Sequence, residues 1–164
     1  MANLTTAQLQ TLKAAINADP ALAAMPNNND SASEIAAAFN VTASPAFVVW
    51  RSSVSQDEIM QNGFDWTRVD NLSVGKARVW EWMFNNQQRA INPSKANVRA
   101  GIDQTWVGTA ADLAVRAAVY AHCKRNATRG EKLFATGTGT DADPATMAVE
   151  GAISQQNVVD ARSL

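Results

Sequence analysis

Apolar residues recur at helical spacing along most of this chain. Leu9, Leu12 and Ile16 fall three and four residues apart, with Gln10 and Lys13 between them. That spacing predicts a helix from Leu4 to Ala18 with Thr5 or Thr6 as its cap. Asp19-Pro20 ends it, because a residue before proline avoids the α region. Ala21 to Met25 can add one turn. After the loop from Pro26 to Asn29, Asp30 or Ser31 caps a short helix, Ala32 to Phe39. Glu34 lies in its first turn, where the helix dipole favours an acid. Asn40 to Pro45 breaks the pattern. Ala46-Phe47-Val48-Val49-Trp50-Arg51 is β-branched and aromatic, so it reads as a short strand or an extended buried segment. Ser55-Gln56-Asp57-Glu58 opens another helix that ends at Gly63, and Phe64-Asp65-Trp66 follows as an aromatic turn.

The densest apolar window is Val79-Trp80-Glu81-Trp82-Met83-Phe84, with two of the five tryptophans. It predicts a long helix from Leu72 to Ile91 whose buried stripe is Leu72, Val79, Trp80, Met83 and Phe84. Trp82 falls off that stripe, which leaves it exposed or packed against a partner. Asn92-Pro93 reads as a fresh helix start, with Val98, Ile102 and Trp106 repeating every fourth residue. Thr109 and Asp112 form a weaker capping box for the longest helix, Ala110 to Ala135. Ala110, Ala114, Ala117, Ala118 and Ala121 give it a small face that lets a neighbouring backbone come close. Arg125, Arg129 and Lys132, at i, i+4 and i+7, give it a basic face. Thr136 to Thr140 is a Gly/Thr linker. Beyond Pro144, Thr146 to Ile153 alternates loosely as a strand, and Ser154 to Leu164 is polar. The expected fold is mainly α: a small helical bundle domain over residues 1–135 and an extended C-terminal arm over 136–164, with room for one or two short strands.

Bulk properties narrow the function classes. At 164 residues the chain is long enough for one domain with a proper core. The apolar fraction is 46 %, much of it alanine, which implies close helix contacts. The net charge of −1 points to neither nucleic acid nor a membrane surface. The distribution is uneven. Residues 1–63 carry 2 basic and 5 acidic side chains, net −3; residues 64–135 carry 11 and 6, net +5; residues 136–164 carry 1 and 4, net −3. A basic body with acidic ends can match a copy of itself head to tail, although ordinary charge scatter gives the same figures. Cys123 is the single cysteine, so no intramolecular disulfide forms, and a lone thiol fits a reducing compartment of synthesis. The N-terminus lacks the basic start and apolar run of a secretory signal, and no run of about 18 apolar residues predicts a membrane span.

No set of residues for catalysis, metal binding or cofactor binding emerges. His122, the only histidine, adjoins Cys123, but neighbours in a helix diverge by about 100°. A zinc site needs about four Cys, His or carboxylate ligands, and Asp141-Ala142-Asp143 lacks the rest of a calcium loop. Gly137-Thr138-Gly139 has no strand before it and no Gly-Lys-Ser/Thr after it, so it reads as a linker rather than a phosphate loop. Arg125, Arg129 and Lys132 are solvated, pair with acids, or touch phosphate. In the arm, Met147, Val149 and Ile153 are the expected apolar anchor for a partner, with Glu150 and Asp160 among the acids facing Arg125 and Arg129.

Three stretches carry a resemblance. They are Leu4-Thr5-Thr6-Ala7-Gln8-Leu9 on through Ala18-Asp19-Pro20 to Ala43-Ser44-Pro45-Ala46-Phe47-Val48-Val49-Trp50-Arg51; Asn92-Pro93 with Val98-Arg99-Ala100-Gly101-Ile102; and Arg125-Asn126-Ala127-Thr128-Arg129-Gly130-Glu131-Lys132-Leu133-Phe134-Ala135. Over nearly its whole length the chain resembles small virion proteins of tailed bacteriophages encoded among the head and tail assembly genes. Within that group it looks most like a head-to-tail adaptor, also called a head-completion or neck protein. The resemblance implies a non-enzymatic helical protein without cofactors, made in the bacterial host cytoplasm and placed in the virion at the head–tail junction. Its partners would be copies of itself in a ring, commonly of twelve, the portal protein, and the next neck or tail protein, with no membrane. Packaged DNA would be a passing contact. Another neck or tail-completion protein and a DNA-contacting module stand as alternatives.

Overall fold

The computed structural model describes residues 3–61 and 63–164; Met1, Ala2 and Asn62 lie outside the described residues, and with Asn62 the last step of the helix expected to end at Gly63. The fold is mainly α, with short strands only. In chain order the elements are α1 (Thr6–Ala18), α2 (Pro20–Ala23), α3 (Asn29–Asn40), β1 (Val48–Trp50), β2 (Val54–Ser55), α4 (Gln56–Gln61), a 3₁₀ helix (Trp66–Asn71) and α5 (Val74–Phe84). They continue with β3 (Ala90–Ile91), α6 (Ala96–Thr105), α7 (Ala110–Cys123), β4 (Lys124–Asn126), α8 (Arg129–Leu133), β5 (Ala135–Thr136), β6 (Thr146–Met147) and α9 (Gln155–Ser163). Two compact units share the chain: Met1–Val49 with Asn126–Leu164, and Trp50–Arg125. The division therefore falls inside β1 and β4, not at residue 135.

In the first unit each helix start is fixed by a side chain. Thr5 and Gln8 form a capping box on α1: Thr5 N–H donates to Gln8 Oε1 at 2.8 Å and Gln8 N–H to Thr5 Oγ1 at 3.3 Å. Asp19 caps α2, with Pro20 at the first helical position. The cap of α3 is Asn28 rather than Asp30 or Ser31. Its amide oxygen accepts from Ser31 N–H at 2.9 Å, so the helix starts a turn earlier and Ser31 faces inward. Leu12, Ile16, Ile35 and Phe39 then bury together.

The C-terminal segment is a correction to the expected arm. Val149, Ile153, Val158 and Ala161 complete the same core, and α9 lies against α1 and α3. Asn40 clamps the segment with both ends of its amide: Nδ2 donates to Ile153 O at 2.9 Å and Oδ1 accepts from Ile153 N–H at 2.8 Å. Arg162 donates to the carbonyls of Met25 and Pro26. The strand expected at Thr146 to Ile153 is only β6, antiparallel to β5 with Ala135 opposite Met147 and Thr136 opposite Thr146. The polar look of the tail hid a short amphipathic helix. Ser154 and Asn157 cap it, and Val158 and Ala161 lie three apart on one face.

The second unit is built on aromatic packing. Trp80 meets Trp106 edge-on at 5.3 Å and Phe84 edge-on at 5.1 Å, and stacks on Phe64 at 5.7 Å. Ile59, Ile102, Val115, Val119 and Cys123 fill in around them. Strands β2 and β3 pair antiparallel, Val54 opposite Ile91. Helix α5 stops at Phe84, seven residues short of the expected end. Asn86 explains this: its side-chain oxygen accepts from the N–H of Gln88 and of Ala90, which competes with the helical ladder. Asn92-Pro93 likewise makes a side-chain-capped turn, Asn92 Oδ1 accepting from Ser94 N–H at 3.1 Å, and α6 begins only at Ala96. In α7 the buried positions are Val115, Val119 and Cys123. Of the expected small face, Ala110, Ala114, Ala117 and Ala121 are exposed and Ala118 is half-buried.

Candidate functional site

The long helix that should have carried a basic face ends at Cys123. The chain runs on as β4, and Thr128 with Glu131 forms a new capping box that starts α8. Arg125 therefore lies half-buried in β4 of the second unit, while Arg129 and Lys132 belong to α8 of the first. No single helical face holds all three. Arg129 is committed locally. Its Nη2 donates to Asp19 Oδ2 at 2.9 Å and its guanidinium lies 4.7 Å over the Phe39 ring. This bond, ahead of the backbone N–H groups of Leu22 and Ala21, holds the Asp19 carboxyl below its usual range. Lys132 Nζ sits 5.3 Å over the ring of Phe47. Beside them is an open cleft of about 780 Å³ with Ala15, Val41, Ala43 and Leu133 in its walls.

The expected partner-binding residues of the C-terminal segment are mostly internal. Val149 and Ile153 are buried and Met147 is half-buried in β6, so their apolar surface already serves the core. Glu150 and Asp160 are exposed, and Asp160 accepts from Gln156 Nε2 at 2.7 Å. The acid that meets Arg129 is Asp19, not one of the C-terminal acids.

The second unit carries a different kind of surface. Trp82 is 76 % exposed and Val74, about two turns earlier on α5, is 70 % exposed. Arg78, one turn before Trp82, and Glu81 are exposed and form no ion pair among the described residues. Around the helix, an open cleft of about 660 Å³ is floored by Trp66, Ala77, Trp80 and Phe84 and rimmed by Glu81 and Arg89. Trp66, which tilts against Phe64 at 4.8 Å, is itself 46 % exposed. Sequence reasoning placed Trp82 off the buried stripe but missed the cleft. The signal for it was Ala77, a small residue three positions before Trp80.

Several other polar groups serve the scaffold. Arg68 Nη2 donates to Asp112 Oδ1 at 2.8 Å at the start of α7. That bond, with Thr109 supplying the next, lowers the Asp112 carboxyl from 3.8 to about 2. Glu131, buried, accepts from the N–H of Thr128 and of Gly151. Tyr120 donates to Asp103 Oδ1 at 2.9 Å, and burial raises its phenol. Burial also pushes the Cys123 thiol up to about 12, which disfavours the nucleophilic thiolate. Among the described residues no group of His, Cys, Asp and Glu could hold a metal ion, and no helix is long and apolar enough to cross a membrane.

No protein-family model, no curated protein and no solved structure matches this chain.

Proposed function

We propose that this is a structural virion protein of a tailed bacteriophage, a head-to-tail adaptor of the neck that forms a ring under the portal and links the DNA-filled head to the tail. In this reading it is not an enzyme and needs no cofactor. It works by contact with copies of itself, twelve in the commonest arrangement, with the portal above and with the next neck or tail protein below. The observation that carries the proposal is the outward face of α5. Its tryptophan, Trp82, stands 76 % exposed and keeps most of its indole in water. Tryptophan is the residue type most enriched where protein surfaces meet tightly. The likeness to virion assembly proteins supplies the setting, and the α5 face supplies a means of assembly. The expected arm no longer supports the reading, since its anchors lie in the core. The DNA-contacting alternative loses the continuous basic helix on which it rested.

The test is binding to a purified portal ring. The protein should co-sediment with portal assemblies in a fixed ratio, and Trp82→Ala should reduce that ratio or the size of the ring. A protein that stays monomeric and ignores the portal at all concentrations would count against the proposal.

A further inference from the structure

We propose that the first unit binds a small amphipathic carboxylate, one carboxylate head on an apolar body, in the open cleft of about 780 Å³ beside α8. All the residues lining this cleft belong to the first unit, so the site is independent of the α5 face on which the neck reading rests.

Donors line the cleft and no acid does. Arg129 and Lys132 contribute its charge, and Thr42 and Ser44 its hydroxyls. Lys132 Nζ has no carboxylate of its own among the described residues; its one contact is the Phe47 ring, 5.3 Å away. The Arg129 guanidinium gives one N–H to Asp19 at 2.9 Å and keeps the others. That bond and the Phe39 ring at 4.7 Å hold the guanidinium in place. Thr42 and Ser44 are exposed, and their hydroxyls make no hydrogen bond among the described residues. Such donors recognise the oxygens of carboxylates and phosphates.

Charge selects between these anions. Asp19 offsets Arg129, which leaves the charge of Lys132 uncompensated. A carboxylate brings one negative charge, whereas a phosphate monoester brings about 1.5 to 2 at neutral pH. The surroundings disfavour a polyanion. The first unit carries 4 basic and 8 acidic side chains. Nucleic acid or an anionic membrane would meet that field along its length, while a single small anion meets only the cleft.

The rest of the wall calls for an apolar body on the head. Phe39 and Ala43 are already buried, but Val41 is 57 % exposed and Ala15 and Leu133 are half-buried. An inorganic anion would leave that surface in water; a hydrocarbon chain or ring would cover it. The volume lies in the range of clefts that hold small ligands. The walls are also pre-formed. Arg129 N–H donates to Val41 O at 2.8 Å and Ala43 N–H to Ala127 O at 3.0 Å, which ties this segment across the start of α8. A ligand therefore loses little affinity to ordering the site.

The experiment titrates decanoate, below its micelle-forming concentration, into the full chain and follows amide shifts by NMR. The shifts should concentrate at residues 41–44 and 129–133 and saturate as one site. Acetate, which lacks the body, and decanol, which lacks the charge, should each bind about tenfold more weakly or worse. Lys132→Gln should weaken decanoate binding by a similar factor. Val41→Asp, at an exposed position, should do the same and serves if Lys132→Gln fails to fold. Decanol bound as tightly as decanoate, shifts centred elsewhere, no saturable binding, or affinity unchanged in the folded variants overturns the proposal. Decyl phosphate bound more tightly than decanoate, or a single-stranded oligonucleotide shifting the same amides, overturns the choice of a small carboxylate. None of these outcomes bears on the joining of heads to tails.

Discussion

Gly130 lies so close to Ile153 that a β-carbon at position 130 would come within 2.7 Å of the isoleucine Cγ1. The carbonyl oxygen of Phe39 would lie 3.2 Å away on another side, so there is little room to relax. The close approach seats the C-terminal segment on the start of α8. Gly130→Val should therefore destabilise the first unit by about 1–3 kcal/mol. Ile153→Ala should cost about 2–5 kcal/mol, and the double variant less than the two costs together, because both act on one contact. Urea unfolding read by hydrogen exchange at first-unit amides such as Leu12 and Ile35 measures all three, because every Trp and Tyr lies in the second unit; strict additivity would place the two residues apart.

Removing residues 154–164 should unfold the first unit, not release a tether. Val158 and Ala161 are fully buried against the side chains that α1 and α3 contribute. Hydrogen exchange at the amides of Leu12, Ile16 and Ile35 reads this directly. Those amides should lose protection in the shortened chain. Unchanged protection would restore the segment to the status of an arm.

The acid limb of stability should depend on Asp112. Its folded carboxyl titrates at about 2, below the ordinary 3.8, because Arg68 and Thr109 hydrogen-bond its charged form. A group depressed in the folded state contributes stability that is complete above its unfolded value and is lost as pH falls through the folded one. The contribution should fade between about pH 4 and about pH 2. Asp19 and Glu58, also lowered, act in the same direction. Unfolding free energy measured across that window should fall less steeply for Asp112→Asn than for wild type. Equal slopes would remove Asp112 from the account.

Cys123 should behave as a small apolar core residue. It is fully buried and its thiol is shifted to about 12. An aromatic disulfide reagent at neutral pH should label it only after denaturation, and Cys123→Ser should leave self-association unchanged. Rapid labelling of the folded protein would contradict its burial.

Much of the fold could be read from the chain because the signals were local. Thr5 as a cap, Asp19-Pro20, and Trp80 with Phe84 each fix an element through residues a few positions apart, although Val79 of the expected stripe is exposed. The failures share a cause: a periodic pattern was extended past a competing local bond. Asn86 ends α5 early and Asn92 delays α6, both through side-chain bonds that mimic backbone. The Thr128–Glu131 capping box was present in the sequence but lay inside an apparently unbroken helix, so Arg125 was grouped with Arg129 and Lys132. The C-terminal segment was misread because its burial depends on partners over a hundred residues away, such as Asn40 for Ile153. The exposed Trp82 followed from helical spacing; the cleft on the far side of α5 needs the 3₁₀ helix that brings Trp66 against it, a tertiary fact.

The role in joining heads to tails is open to one direct measurement. DNA-filled heads assembled without this protein are mixed with purified tails, with and without the protein added back, and infectious particles are counted. The account predicts joined, infectious particles only when the protein is supplied, and few or none when the supplied protein is Trp82→Ala. Heads and tails that join equally well in its absence would contradict it.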